Sequence, residues 1–120
     1  MKKRTLVIGA SMNPERYSNK AIKKLRANTI DTLAIGVKKG SVLDVDIVTE
    51  KRSFKNIDTV TLYVNATIQK EYYDYILELK PRRVIFNPGT ENQEFRALLQ
   101  ENAIETEEAC TLVLLSINQY

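Results

Sequence analysis

The sequence predicts an α/β fold in which a parallel β-sheet of about five strands carries helices on both faces. Three observations support this prediction. Segments rich in aliphatic and β-branched residues alternate with segments that have a helical repeat, which is typical of βαβ units. The intervening segments are of ordinary length for crossovers between parallel strands. Turn-forming residues follow the carboxyl ends of the predicted strands.

The composition indicates one soluble domain spanning residues 1–120. Of its 120 residues 43% are hydrophobic, which is enough for a substantial core. No apolar run approaches the roughly 18 residues that cross a membrane, and the first residues lack the apolar region of a signal peptide. The single cysteine, Cys110, cannot form an internal disulfide, which fits a reducing cytoplasm.

The first predicted unit is a buried strand, a turn of small residues and a helix. Residues 5–9 form the strand and run into Gly9-Ala10-Ser11, and Asn13-Pro14 marks a loop. Ser18 is the predicted N-cap of the helix, which continues to about Asn28. Its apolar residues fall at helical spacing, at Ala21, Ile22 and Leu25. A helix N-terminus after a turn of small residues suits an anion such as a phosphate.

The second predicted strand comprises residues 32–37. The turn Lys38-Lys39-Gly40-Ser41 follows it directly. Residues 45–48 are consistent with a short strand, and residues 58–64 alternate and are rich in β-branched side chains, so they form the next predicted strand. In a nucleotide-binding α/β fold, the turn after the second strand meets the sugar and adenine side of the ligand.

The last part of the chain contains two more predicted strand–helix units. Asn65-Ala66-Thr67 forms a turn in which Thr67 can cap a helix that Pro81 stops. Residues 84–86 form a strand that ends in Asn87-Pro88-Gly89. A capping box is predicted at Thr90 and Gln93. An edge strand at 104–106 and a terminal helix at 110–117 complete the chain.

The predicted turns converge on one edge of the sheet. The carboxyl ends of parallel strands lie together, and in open α/β sheets this edge forms the ligand crevice. Four turns meet there: Gly9-Ala10-Ser11, Lys38-Lys39, Asn65-Ala66-Thr67 and Asn87-Pro88-Gly89.

Charge is distributed unevenly along the chain. The formal net charge is +3, but residues 1–40 carry ten Lys or Arg against two acidic residues, a net of +8. An anionic ligand near the Gly9 turn would feel a favourable field. A solvated basic face of the first helix explains the charge equally well. Nucleic acid is not indicated, because no aromatic-rich strand or recognition helix accompanies the charge.

Several kinds of chemistry are absent from the sequence. There is no histidine, which removes the usual general base and the commonest transition-metal ligand, and one cysteine cannot form a thiolate metal cluster. The phosphate-binding lysine motif is missing, and the glycine-rich dinucleotide fingerprint stops at Gly9. Lys38 and Lys39 stand where an acid would hold the ribose of NAD, which favours a ligand with an extra phosphate near its ribose. No metal site is predicted.

Cys110 is the only residue with intrinsic covalent reactivity. Two interpretations remain open. A buried structural thiol accounts for it without any chemistry. Alternatively, the thiol lies close to the reactive end of a ligand, where a helix N-terminus would lower its pKa.

Several short motifs stand together in this chain: Val7-Ile8-Gly9-Ala10-Ser11, Arg16, Ser18, Val37, Asn87-Pro88-Gly89 and Glu108-Ala109-Cys110. With these motifs the chain resembles the small bacterial coenzyme A-binding proteins, which are stand-alone Rossmann-like domains similar to the coenzyme A-binding domain of the succinyl-CoA synthetase α-subunit. The resemblance covers most of the chain. The sequence departs from the family at Lys38-Lys39, where a Pro-Val-Asn-Pro-like turn is usual, at Asn65, where an arginine is common, and at Asn87, which replaces a glutamine.

The resemblance implies a cytoplasmic module that binds coenzyme A or acyl-CoA. Backbone N–H groups of Ala10 and Ser11 would face the pyrophosphate, with Arg16 adding donors. Lys38 and Lys39 would flank the adenosine and its 3′-phosphate. The implied binding residues are Gly9, Ala10, Ser11, Arg16, Ser18, Val37, Lys38, Lys39, Asn65, Ala66, Thr67, Asn87, Pro88 and Gly89, of which the last six would line the pantetheine side.

Two alternatives accompany this expectation. Cys110 would be the catalytic residue of an enzyme that exchanges thiols with coenzyme A or takes up its acyl group. Alternatively, the altered turns would belong to a regulatory subunit with a degenerate pocket, which acts through a homodimer or a protein partner.

Overall fold

The computed structural model describes residues 3–120, which form a central β-sheet with helices on both faces. The sheet has seven strands: β1 (Arg4–Ala10), β2 (Asp31–Gly36), β3 (Gly40–Val42), β4 (Val45–Val48), β5 (Ile57–Leu62), β6 (Arg83–Phe86) and β7 (Glu105–Glu108). The five α-helices are α1 (Tyr17–Ala27), α2 (Ala66–Gln69), α3 (Tyr73–Leu79), α4 (Gln93–Glu101) and α5 (Thr111–Ser116). A 3-10 turn at Lys70–Tyr72 joins α2 to α3.

The sheet order is β3-β4-β2-β1-β5-β6-β7. Every neighbouring pair is parallel except β3 and β4, which form an antiparallel hairpin. The predicted α/β fold with a mostly parallel sheet is therefore confirmed. The sheet has more than the predicted five or so strands, in part because residues 40–42 pair with β4, although Gly40 and Ser41 were predicted to belong to a turn.

Two strands, β2 and β5, end one or two residues earlier than predicted. β2 ends at Gly36, so Val37 lies beyond it and is 96% exposed. β5 ends at Leu62, which leaves Tyr63 and Val64 in the following loop. Aliphatic and aromatic side chains continue past both strand ends, which is why the sequence pattern extends the strands too far.

Ser18 is not the N-cap of α1. The capping position belongs to Arg16, whose side chain makes no capping hydrogen bond. Ser18 lies within the first turn of the helix and is buried. The loop before α1 is shorter than predicted, because the backbone N–H of Arg16 already donates to the carbonyl of Asn13 at 3.0 Å and closes a turn there.

Asparagines, rather than threonines, cap the two helices on the other side of the sheet. Asn65, and not Thr67, caps α2, since its Oδ1 accepts a hydrogen bond from the N–H of Ile68 at 2.9 Å. Asn92 caps α4 in the same way, with Phe95 as the donor at 3.0 Å. The predicted capping box at Thr90 and Gln93 is wrong. The Thr90 hydroxyl instead donates to the carbonyl of Asn87 at 2.7 Å.

The core has one layer on each face of the sheet. On one face, α3 and α4 bury Ile76, Phe95 and Leu99 against β1, β5 and β6. On the other face, α1 and α5 cover β1, β2 and β4 with side chains that include Ile22 and Leu115. Successive β1 residues point to opposite layers, so this central strand is buried on both faces, as its unbroken aliphatic sequence predicts.

Across residues 3–120, none of the helices has the length and apolar character needed to span a membrane.

Candidate ligand-binding site

A cleft of about 930 Å³ lies at the carboxyl ends of four parallel strands, β1, β2, β5 and β6. Its size is at the upper end of the range of small-molecule sites. The lining residues come from the loops that follow these strands and from the start of α1 and α2: Gly9, Ala10, Ser11, Met12, Asn13, Glu15, Arg16, Tyr17, Ser18, Val37, Lys38, Tyr63, Val64, Asn65, Ile68, Pro88, Gly89 and Thr90.

The cleft lies at the point where the strand order reverses. β2 pairs with one edge of β1, and β5 pairs with the other edge. The loops that leave β1 and β5 therefore diverge to opposite faces of the sheet. In open α/β folds this divergence opens a crevice at the carboxyl edge.

The β1–α1 loop forms the floor of the cleft. Gly9 has φ +96°, a conformation that favours glycine, and the pairing of β1 with β2 shifts register between Ile8 and Ala10. The Ser11 hydroxyl accepts a hydrogen bond from the N–H of Asn13 at 3.1 Å. The Ser11 carbonyl accepts one from Nδ2 of Asn19 at 2.9 Å. The bond from Asn19 fixes the loop against the first turn of α1.

The positive end of α1 opens onto this loop. The first turn of α1 contains no acidic residue, so no side chain of that turn neutralises the partial positive charge of its N–H groups. Arg16 and Lys38 add cationic side chains to the cleft, and Glu15 adds an anionic one. Among the residues that the structure describes, neither Arg16 nor Lys38 is in an ion pair. This end of the cleft is suited to a phosphate group.

The opposite end of the cleft is uncharged. Val64, Ile68, Pro88 and Gly89 line it, and the Ile68 side chain is 42% exposed. An apolar side chain that remains open to solvent in a cleft offers a surface for an uncharged part of a ligand.

Tyr63 lies on the wall between the two ends. Burial raises the pKa of Tyr63 to about 12, although the nearby hydroxyls of Thr111 and Thr61 lower it in part. Its hydroxyl oxygen is buried and has no hydrogen-bond partner among residues 3–120. Tyr63 is therefore neutral at physiological pH and contributes no charge to the cleft.

Asn87 ties the strand ends behind the cleft to one another. It is only 2% exposed. Its Nδ2 donates to Oγ1 of Thr61 at 2.6 Å and to the carbonyl of Leu62 at 2.9 Å. Its Oδ1 accepts from the N–H of Thr111 at 2.9 Å, at the start of α5. Both the nitrogen and the oxygen of its side-chain amide are thus bonded inside the protein, and Asn87 supports the site from behind.

Ten of the fourteen predicted binding residues line the cleft: Gly9, Ala10, Ser11, Arg16, Ser18, Val37, Lys38, Asn65, Pro88 and Gly89. The other four, Lys39, Ala66, Thr67 and Asn87, are outside its lining. The remaining lining residues were not predicted from the sequence: Met12, Asn13, Glu15, Tyr17, Tyr63, Val64, Ile68 and Thr90. Their signal is their position, because each one lies within two residues of a predicted turn or loop, or belongs to the helix that follows it.

Cys110 occupies the N-cap position of α5 and is partly buried. It is not among the residues that line the cleft. Across residues 3–120, no three Cys, Asp or Glu side chains are grouped as metal ligands would be.

Comparison with known proteins identifies a family. The sequence model of a CoA binding domain family matches residues 3–116. An uncharacterised protein of known crystal structure is 45% identical in sequence to this chain. The two superpose with a TM-score of 0.96 over 100% of this chain and 99% of that one. No match was found among curated proteins.

More distant structures share the fold. The cell-free ID.343 protein from Thermus thermophilus is 19% identical, with a TM-score of 0.86 over 99% of this chain and 91% of that one. A hypothetical protein from Pyrococcus horikoshii OT3 is 24% identical, with a TM-score of 0.84 over 93% of this chain and 80% of that one.

Proposed function

Because the chain belongs to the CoA binding domain family, we propose that it binds coenzyme A or an acyl-CoA in the cleft at the carboxyl edge of its sheet. It acts as a small nucleotide-binding module of the cytoplasm, where its lone cysteine stays reduced. In this proposal it has no catalytic activity of its own.

One observation carries the proposal. The cleft combines a phosphate-suited end, made by the start of α1 with Arg16 and Lys38, with an uncharged end lined by Val64 and Ile68. Coenzyme A has the same division, because its phosphates are at the nucleotide end and its pantetheine arm is uncharged. A nucleoside triphosphate would match only the charged end.

The thiol-exchange alternative has less support. It requires Cys110 to reach the thiol or thioester of the ligand, and Cys110 is not a lining residue of the cleft. The regulatory alternative draws on altered residues at four positions: Gly36, Lys38, Asn65 and Asn87. Two of these, Lys38 and Asn65, line the cleft and are compatible with a polar ligand, so binding is the better-supported function.

Thermal unfolding with coenzyme A, dephospho-coenzyme A, NAD and ATP tests the proposal. A ligand present at one hundred times its Kd stabilises the folded state by about 2.7 kcal/mol, which raises the Tm of a chain of this size by roughly 10 °C. Coenzyme A should give the largest shift and NAD the smallest. Equal shifts for all four ligands, or no shift with any of them, would refute the proposal.

A further inference from the structure

Gln69 is fully buried at the end of α2, and its amide group joins two walls of the cleft. Its Nε2 donates to the carbonyl of Val64 at 2.9 Å and to the carbonyl of Thr90 at 2.7 Å. Its Oε1 accepts from Nδ2 of Asn92 at 3.0 Å. The side-chain amide of Gln69 is thus bonded to two backbone carbonyls and to one buried side-chain amide.

The two carbonyl partners belong to different strand ends. Val64 follows β5 and Thr90 follows β6, and both residues line the uncharged end of the cleft. The amide of Gln69 therefore fixes the separation of these two wall segments. A side chain without an amide at this position would leave the carbonyls of Val64 and Thr90 without the donor that joins them. The two wall segments would then be free to move apart.

A second buried amide, that of Asn19, lies at the charged end, where it holds one wall carbonyl rather than two. It is 2% exposed, and its Nδ2 holds the carbonyl of Ser11 at 2.9 Å. Ser11 adjoins the N-terminus of α1, on the side of Arg16 and Lys38. Each end of the cleft thus has its own buried amide, and no hydrogen bond joins Gln69 to Asn19 in the described chain.

We propose that Gln69 is a positioning residue for the uncharged arm of the ligand, the part that carries the thiol or thioester, and that it acts independently of the phosphate end. This inference rests on the proposed binding of coenzyme A. Gln69 acts through the backbone of Val64 and Thr90, because it does not itself line the cleft.

Isothermal titration of Gln69→Met with two ligands tests this role. Methionine has nearly the length of glutamine but cannot donate or accept these hydrogen bonds. The ligands are coenzyme A and adenosine 3′,5′-bisphosphate, its nucleotide part without the pantetheine arm. We expect the Kd for coenzyme A to rise about tenfold, and the Kd for the bisphosphate to change by less than about twofold. Measurements well below the Tm of the variant separate this selectivity from a loss of stability.

Asn19→Ala is the matched control. It removes a buried amide of the charged end, so it should weaken both ligands by a similar factor. If Gln69→Met does not fold, Asn92→Ser replaces it. Serine retains an oxygen that can cap α4, whereas the bonds from Asn92 to Oε1 of Gln69 and to the Tyr73 hydroxyl are lost. The Gln69 amide is then no longer held in the orientation in which it donates to the carbonyls of Val64 and Thr90.

The outcomes are distinguishable. Wild-type protein that binds neither ligand would refute the proposed function and, with it, this role of Gln69. Wild-type protein that binds both ligands, together with a variant that weakens them equally or leaves coenzyme A binding unchanged, would refute only the role of Gln69. Selective weakening of coenzyme A would support it.

Discussion

Gly9 lies directly against the backbone of Tyr63. A Cβ atom on Gly9 would come within 2.9 Å of both the carbonyl carbon and the carbonyl oxygen of Tyr63. The N–H of Tyr63 donates to the carbonyl of Ile8 at 2.8 Å, so the two segments cannot separate without breaking this bond. The first turn of the cleft is therefore built on a contact that only glycine permits.

Gly9→Ala should destabilise the protein by about 3 kcal/mol, since it combines a positive φ with a clash against backbone. Gly89→Ala is the matched control: Gly89 has φ +90°, but a Cβ there would meet nothing within 4 Å. It should cost only about 1 kcal/mol. Urea denaturation of both variants measures the difference. Equal losses would mean that the contact with Tyr63 relaxes without cost.

In the proposed binding mode, Lys38 contacts the 3′-phosphate of coenzyme A. Lys38→Ala should then weaken coenzyme A binding about tenfold, because this charge-assisted contact is lost. The same substitution should change the Kd for dephospho-coenzyme A by less than about twofold. Lys39→Ala is the control, because Lys39 is adjacent but is not a lining residue. Titration calorimetry with both ligands provides the comparison. If Lys38→Ala weakens both ligands equally, Lys38 does not recognise the 3′-phosphate.

Asn87→Ala should lower the free energy of unfolding by about 2–3 kcal/mol, because it leaves the N–H of Thr111 and the carbonyl of Leu62 without their buried partner. Asn102→Ala serves as the control. The Asn102 amide donates to the carbonyl of Leu98 at the protein surface and should contribute less than about 0.5 kcal/mol. Chemical denaturation measures both values, and a small loss in Asn87→Ala would show that water replaces its hydrogen bonds.

The Arg82–Asp58 pair should make stability depend on pH in the acid range. Burial alone would raise the pKa of Asp58, but hydrogen bonds from Arg82 and Thr59 hold this pKa below its ordinary value. A carboxylate with a lowered pKa in the folded state stabilises the protein above its unfolded pKa of about 3.9. That contribution is lost as the pH falls through the lower, folded value.

Arg82→Met should therefore destabilise the protein by roughly 1 kcal/mol at pH 7 and by less at pH 2–3. Urea midpoints at pH 7, 4 and 2.5 measure the slope. Arg52→Met, which removes an exposed ion pair with Glu50, is the control and should leave the stability at pH 7 unchanged. An equal loss for Arg82→Met at every pH would mean that its packing, rather than its charge, is responsible.

The architecture was predictable because hydrophobic burial dictates it. The unbroken aliphatic run of β1 indicates a strand buried on both faces, and the structure places it at the centre of the sheet. The apolar faces of α1 and α4 follow from residues at helical spacing, such as Leu25 and Phe95, and both are buried. Patterns of this kind depend only on which side of an element faces the core.

Features fixed by tertiary hydrogen bonds were not predictable in this way. Both Thr90 and Asn92 are good capping residues. The sequence does not show that the Thr90 hydroxyl instead donates a hydrogen bond to the carbonyl of Asn87. The strand at Gly40–Val42 has only three residues and depends on pairing with β4. Its own sequence, which begins with Gly40 and Ser41, is typical of a turn.

The site was predictable where backbone position determines it. Gly9 and Gly89 belong to turns that must lie at the carboxyl ends of strands, and both line the cleft. The direction of a side chain is harder to predict. Asn87 follows β6 as expected, but it faces inward because Thr61 and Thr111 offer buried hydrogen-bond partners. Gln69 gives no signal in the sequence, since its partners are two backbone carbonyls and the Asn92 side chain, which only the folded chain brings together.

The central position of β1 determines how occupancy of the cleft would be transmitted through the molecule. The walls of the cleft come from segments as distant in sequence as Gly9 and Thr90, and they meet only when β1 has paired with β2 on one side and with β5 on the other. Local fraying cannot assemble or dismantle such a site separately from the sheet. A bound ligand should accordingly slow amide hydrogen exchange throughout the sheet core, including at β1, and not only in the loops that touch it.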